Sequence, residues 1–195
     1  MSAIYLASQS PRRAELLRQV GVPFTQFSVD ILEEHQRGES ADAYVVRLAQ
    51  EKAQAGWRHC QTEGLVSLPV LGSDTVVVCD EQILEKPADL HEAQQTLQLL
   101  SGRSHRVLSA LAIVFGSRCE WAIAATEVTF RRLSSVEIER YWATGEPCDK
   151  AGAYGIQGLG AVFVESISGS YSNVVGLPLE TTVPLLKIFD VACWQ

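Results

Sequence analysis

The chain has 195 residues, of which 47% are hydrophobic and 20% charged, a balance that suits one folded domain of 1–195 with a real core and argues against disorder. Its 23 acidic and 16 basic residues give a net charge of −7, which disfavours general binding to nucleic acid or an anionic membrane. Any anion site must therefore be a local cluster of bases.

Apolar patterns of strand and helix type alternate along the chain, which predicts an α/β fold. Ala3–Ala7 reads as a buried strand, and Ser10-Pro11 as the cap and first residue of a helix with an apolar face at Leu16, Leu17 and Val20, ended by Gly21. Phe24–Ile31 reads as a strand. Ser40 caps a long helix running to about His59, with Val45, Leu48 and Ala49 on its apolar stripe. Leu68–Gly72 and Thr75–Cys79 are β-rich, and Asp80-Glu81-Gln82 forms a hairpin tip leading into Ile83-Leu84. Asp89 with Glu92, and Ser134 with Glu137, are capping-box patterns for two further helices, the first closed by Gly102 and the second ending near Gly145. Val107–Phe115 and Trp121–Phe130 between them read as neighbouring antiparallel strands. A glycine-rich loop at Ala151–Gly160 precedes a strand at Ala161–Ile167. A last helix follows Gly176-Leu177-Pro178, with Pro184 kinking it or marking its start.

The five cysteines (60, 79, 119, 148 and 193) are odd in number and show no metal-type pairing, so a disulfide framework is not expected and a reducing compartment fits. The amino-terminal MSAIYLAS has no basic region, and no apolar run approaches the ~20 residues a membrane span needs. A soluble, cytoplasmic protein without nucleic-acid or membrane partners is expected. His35, His59, His91 and His105 have no metal-ligand spacing and read as surface residues for the most part.

Four constellations carry chemistry. Ser8-Gln9-Ser10-Pro11-Arg12-Arg13 joins a helix start, whose free N–H groups favour an anion, to hydroxyls and two forked guanidinium groups. The plainer alternative is a capped helix with solvated arginines. Lys52 falls four residues after Leu48 and seven after Val45, on the apolar face of its helix, where it must snorkel or pair with an anion. Asp74, in Gly72-Ser73-Asp74-Thr75, reads as a carboxylate at a strand end that binds metal or accepts a proton, against the alternative of an Asx-turn. Lys86 is expected near the same rim, and Glu33-Glu34 adds a carboxylate pair. The loop from Asp149 to Gly160 has four glycines that let backbone approach a ligand, and Lys150, Tyr154 and Gln157 could bind phosphate, stack and read a base edge. Separated anion donors with carboxylates for a hard cation suit phosphoryl chemistry on a nucleotide.

The ordered set of Leu6-Ala7-Ser8-Gln9-Ser10-Pro11-Arg12-Arg13, Leu48-Ala49 with Lys52-Ala53, Gly72-Ser73-Asp74-Thr75, Glu85-Lys86-Pro87, Asp149-Lys150-Ala151-Gly152 and Gly176-Leu177-Pro178 resembles the Maf family of nucleotide pyrophosphatases, over nearly the whole chain. The resemblance implies an elongated α/β fold of Maf/inosine-triphosphatase type, with a mixed, bent sheet and a central cleft between two lobes. It also implies dependence on Mg or Mn, and frequent homodimers. By the same resemblance Asp74 is the base, Glu33 and Asp74 hold the metal, and Ser8, Arg12, Arg13, Lys52 and Lys86 bind substrate. Leu32 stands where many members have another acid. Ile156-Gln157-Gly158-Leu159-Gly160 resembles the branch acting on dTTP and UTP. The 7-methyl-GTP branch has Glu where Gln157 stands. A neutral amide both donates and accepts, as a pyrimidine's carbonyl and N3–H require. Thr75 and Gln157 are the expected base readers. The reaction so implied is hydrolysis of a nucleoside triphosphate to the monophosphate and pyrophosphate. A non-catalytic nucleotide sensor linked to septum inhibition, and a purine-directed pyrophosphatase, are the competing readings.

Overall fold

The computed structural model describes residues 3–194; Met1 and Ser2, which open the amino-terminal run discussed above, and Gln195 lie outside them. The first strand, β1 (Ile4–Ala7), is buried throughout. It leads into helix α1 (Pro11–Gln19), capped by Ser10, whose Oγ accepts the Arg13 N–H at 3.4 Å. Gly21, at φ +68°, turns the chain out of the helix as expected. Strand β2 is Phe24–Phe27, four residues shorter than its sequence pattern. It pairs in parallel with β1 from Ile4↔Phe24 to Ala7↔Phe27. The pairing ends at Ala7, where β1 ends, and residues 28–40 run as a loop.

Helix α2 (Ala41–Thr62) follows its Ser40 cap. The two β-rich segments around Gly72–Thr75 prove to be one ten-residue strand, β3 (Val70–Cys79), joined to β4 (Gln82–Leu84) by a tight turn with positive φ at Asp80 and Glu81. Helix α3 (Leu90–Leu100) is capped by Asp89. The Glu92 carboxylate accepts from the Ala88 N–H, one residue earlier than a capping box requires. Strands β5 (Ser104–Phe115) and β6 (Arg118–Phe130) form the expected antiparallel pair. Helix α4 (Ser135–Trp142) has the full reciprocal capping box at Ser134 and Glu137.

Within residues 146–163 lie three 3-10 turns, Glu146–Asp149, Ala151–Ala153 and Leu159–Phe163, with a non-helical turn at 154–158 between the last two. Strand β7 (Val164–Ser168) starts three residues later than the sequence pattern, because Leu159–Phe163 is helical. A short helix, α5 (Tyr171–Val175), was not anticipated. Pro184 lies inside α6 (Leu179–Lys187) rather than at its start.

The sheet is mixed, in the order β2-β1-β3-β5-β6-β7, with β4 also on β3. Strand β1 runs parallel to β2 and β3, and the remaining pairs are antiparallel. Side chains alternate across β3, so Val76 and Val78 pack under α2 while Leu71 and Val77 face the opposite side. Helices α1 and α6 cover one part of that opposite side, and α3 and α4 cover another. One feature of the pairing opens the cleft. On the edge away from β5, β1 pairs with β3 only at Val70 and Leu71, and β4 pairs only from Val77 onward. Residues 72–76 of β3 therefore have no strand on that edge among the described residues.

Candidate active site

The gap beside β3 opens into a cleft of about 1060 Å³. Ser8, Arg12, Arg13, Glu33, Lys52, Asp74, Thr75, Lys86 and Gln157, drawn from almost the full length of the chain, all line it. The cleft lies past the carboxyl ends of the parallel strands β1 and β2, where side chains leave a sheet with nothing stacked on them.

Asp74 sits in the middle of β3, opposite Ala110 of β5, and not at a strand end. This corrects the reading of a strand terminus and removes the Asx-turn alternative. A strand tolerates an aspartate here because the charge is answered: Lys52 Nζ lies 2.6 Å from Asp74 Oδ1 and 2.8 Å from Glu33 Oε1. Lys52 thus pairs with two anions rather than snorkelling. The closeness of α2 to β3 makes this contact. A Cβ on Gly72 would lie 2.4 Å from the Ala53 backbone nitrogen and 2.5 Å from the Ala49 carbonyl oxygen, so only glycine lets the helix approach so closely.

Glu33 comes from the 28–40 loop, which α2 straps down. Arg47 donates to both Glu39 carboxylate oxygens, at 2.7 and 2.9 Å, and to the Glu34 carbonyl at 2.9 Å. Tyr44 Oη donates to the Glu33 carbonyl at 3.2 Å. Burial opposes the Glu33 charge, but the hydrogen bond and charge of Lys52, with Lys86 and Arg13 behind it, hold its carboxyl below the usual range. Burial, then the negative charges of Asp74, Glu85 and Glu33, push the Tyr44 phenol up to about 12.

The two arginines have different surroundings. The Arg12 side chain is 31% exposed and among the described residues pairs only with Asp149, at 3.9 Å. Arg13 is tied into the scaffold: Nε donates to the Gly176 carbonyl at 2.9 Å, and its terminal nitrogens donate to Ser8 Oγ and Thr75 Oγ1, each at 3.2 Å. Burial lowers the Arg13 pKa, Asp74 opposes the shift, and Arg12 adds to it. The Thr75 hydroxyl also shares a hydrogen bond with Ser109 Oγ at 2.8 Å. It faces an inner polar network, while Gln157 is exposed at the other end of the cleft with no hydrogen bond among the described residues.

Glu33 and Asp74 converge on one cation position, now held by the Lys52 ammonium. No group of three His, Cys, Asp or Glu side chains gathers into a metal cage among the described residues. That donor set suits a hard divalent cation that takes one or two carboxylates and draws its other ligands from phosphate and water. It does not suit zinc.

Residues 3–189 match the family described as Maf-like protein. The chain belongs to the Maf family. A protein of Saccharophagus degradans named dTTP/UTP pyrophosphatase is 52% identical to it over 192 residues, covering 98% of this chain and 91% of its own length. One of Photobacterium profundum with the same name is 50% identical over 193 residues, covering 97% and 98%. Among solved structures, the Mycobacterium abscessus nucleoside-triphosphatase / dITP/XTP pyrophosphatase aligns over 68% of this chain and 74% of that one, with 17% identity and a TM-score of 0.41.

This Maf chain also uses residues that its sequence did not mark. Asn173 is fully buried; its Nδ2 donates to the Val107 carbonyl at 3.0 Å and Thr126 Oγ1 at 2.8 Å, and its backbone carbonyl accepts from Ser109 Oγ at 2.9 Å. It therefore supports the Ser109–Thr75 side of the Maf cleft. His105 is not a surface residue: it is 3% exposed, hydrogen-bonded to Tyr154 Oη at 2.9 Å and packed edge-on against Phe130. Tyr154 is consequently a core residue and cannot stack freely on a base. No local pattern distinguishes these buried polar groups from surface ones. His105 alternates within β5, and only the sheet decides which side of it is covered.

Proposed function

We propose that this Maf protein hydrolyses dTTP and UTP to the monophosphate and pyrophosphate. The observation that carries the reading is the meeting of Asp74, Lys52 and Glu33 in one cleft with the basic start of α1 and with Gln157. The names of its relatives support the substrate class.

In this reading water attacks the α-phosphorus. An O–P bond forms as the bond from that phosphorus to the bridging oxygen of the leaving pyrophosphate breaks. Asp74 takes the proton from the attacking water. Lys52 bridges the Asp74 and Glu33 carboxylates and holds them facing the cleft. Arg12 and Lys86 neutralise the negative charge that grows on the leaving group, with N–H groups and hydroxyls at the start of α1 beside them. Arg13 fixes Ser8 and Thr75 in place and has N–H groups left over for phosphate. Glu33 and Asp74 would hold Mg or Mn, which when bound neutralises phosphate charge and orients the triphosphate. Gln157 reads the base, where a mismatched edge leaves polar groups unpaired.

No helix is long and apolar enough to cross a membrane among the described residues. We place the protein in the cytoplasm, and free thiols at all five cysteines support that. The deciding experiment is pyrophosphate release from dTTP, UTP, GTP, 7-methyl-GTP and inosine triphosphate with Mg or Mn. Preferential turnover of dTTP and UTP is expected. Preference for a purine would replace the substrate assignment, and binding without turnover would make the chain a sensor.

A further inference from the structure

The loop that carries Gln157 is glycine-rich for a reason that the ligand does not supply. Added Cβ atoms show what each glycine makes room for. At Gly158 a Cβ would lie 2.2 Å from Glu146 Oε2. At Gly155 it would lie 2.8 Å from Lys150 Cε and 3.1 Å from Glu146 Oε1, and at Gly160 2.6 Å from the Tyr141 hydroxyl. The backbone wraps the chain's own carboxylate.

The bonds around that carboxylate account for both feet of the loop. Glu146 Oε2 accepts the Leu159 N–H at 2.8 Å, and Oε1 accepts the Gly160 N–H at 3.0 Å. Tyr141 Oη donates to Glu146 Oε1 at 2.8 Å and accepts the Gly155 N–H at 3.1 Å. Ile156 and Gln157 are left as the apex between these anchors, and Gln157 is exposed and lines the cleft. Burial disfavours the Glu146 charge. The two backbone N–H groups, the Tyr141 hydroxyl and the charge of Lys150 outweigh it, so the carboxyl stays ionised below the ordinary range.

We propose that Glu146 is a positioning residue for base selection: a half-buried anion in the cleft wall around which residues 155–160 fold, so that its charge sets where Gln157 meets the base. The selectivity part rests on the pyrophosphatase reading above; the loop-holding part does not. Glu146 touches neither the Lys52 cluster nor the start of α1. Its loss therefore changes recognition of the base more than the chemical step.

The test uses the full-length protein with Glu146→Gln, which keeps size and one acceptor but removes the charge, and Tyr141→Phe, which unties Gly155 and one carboxylate contact. Hydrogen bonds to a charged group are worth about ten- to a hundredfold in an equilibrium. On that scale, KM for UTP and dTTP should rise about tenfold in Glu146→Gln with kcat within roughly threefold. The preference for UTP over GTP should shrink by a similar factor. Amide exchange at Leu159 and Gly160 should accelerate about tenfold or more, and at Gly155 in Tyr141→Phe. A folded Glu146→Gln protein with wild-type KM, preference and exchange overturns the proposal. If that variant does not fold, Tyr141→Phe decides it by the same readouts. A wild-type protein inactive on every nucleotide overturns the pyrophosphatase reading and the selectivity role together. The exchange rates then decide alone whether Glu146 holds the loop.

Discussion

The two ends of the cleft hold their side chains by different means. At the charged end, Asp74 sits on a ten-residue strand paired along its length with β5, and Lys52 projects from a 22-residue helix packed against that strand. At the other end, Gln157 sits in the 154–158 turn between two short 3-10 turns, held by one carboxylate and one tyrosine hydroxyl. Regular elements lock the first end through many backbone hydrogen bonds, so a single side-chain change there should alter chemistry and leave geometry. The second end has few backbone bonds of its own, and a single side-chain change should alter geometry.

The largest effect is expected from Asp74→Asn. Loss of a general base costs about 10²–10⁴ in rate. Because β3 is held by its partners and Lys52 retains Glu33, the melting temperature should move by only a few degrees. Pyrophosphate release from dTTP and a thermal melt together check this; wild-type turnover in a folded variant would remove Asp74 from the chemistry.

The arginines sharpen the contrast within the charged end. Arg12→Ala should cut kcat/KM about ten- to a hundredfold, the scale of one charge-assisted phosphate bond, with an unchanged melt. Arg13→Ala should lower both, since it also releases Ser8, Thr75 and the Gly176 carbonyl. Equal melts for the two variants would contradict their different surroundings.

At the loop end, Gln157→Glu should reduce UTP turnover about tenfold and raise use of 7-methyl-GTP. A carboxylate repels pyrimidine carbonyls and accepts from a donor-rich edge. Unchanged selectivity would place base reading elsewhere.

The smallest effect on turnover, but a measurable one on stability, comes from His105 beneath this end. Burial pulls its pKa from 6.5 down to about 4. The unfolded chain therefore binds a proton at pH values where the folded protein does not. Stability should fall as pH drops from about 6.5 to 4, by on the order of 3 kcal/mol. Denaturant titrations of wild type and His105→Gln across that window should show a flatter dependence in the variant. Glu39, held at about 2 mainly by its hydrogen bonds to Arg47, contributes stability that is lost only between about pH 4.5 and 2, outside that window.

What could be read from the sequence alone was set by short-range physics. Ser10, Ser40 and Ser134 cap helices because each cap is a bond between residues three apart. Lys52 was legible as an anomaly because a helix repeats every 3.6 residues, and the cleft residues could be gathered from their ordered motifs. Tertiary structure alone decided which of those polar groups meet. Asp74 is partnered by Lys52, 22 residues away, and not by Lys86 across the hairpin, because Gly72 lets α2 lie directly on β3. Likewise, the glycines at 155, 158 and 160 announced a close approach without saying to what. The answer, Glu146 and the Tyr141 hydroxyl bound to it, depends on where α4 ends and how the following turns fold back on it. Periodicity and caps are written in neighbouring residues, whereas a buried charge finds its partner only through the packing of elements far apart in the chain.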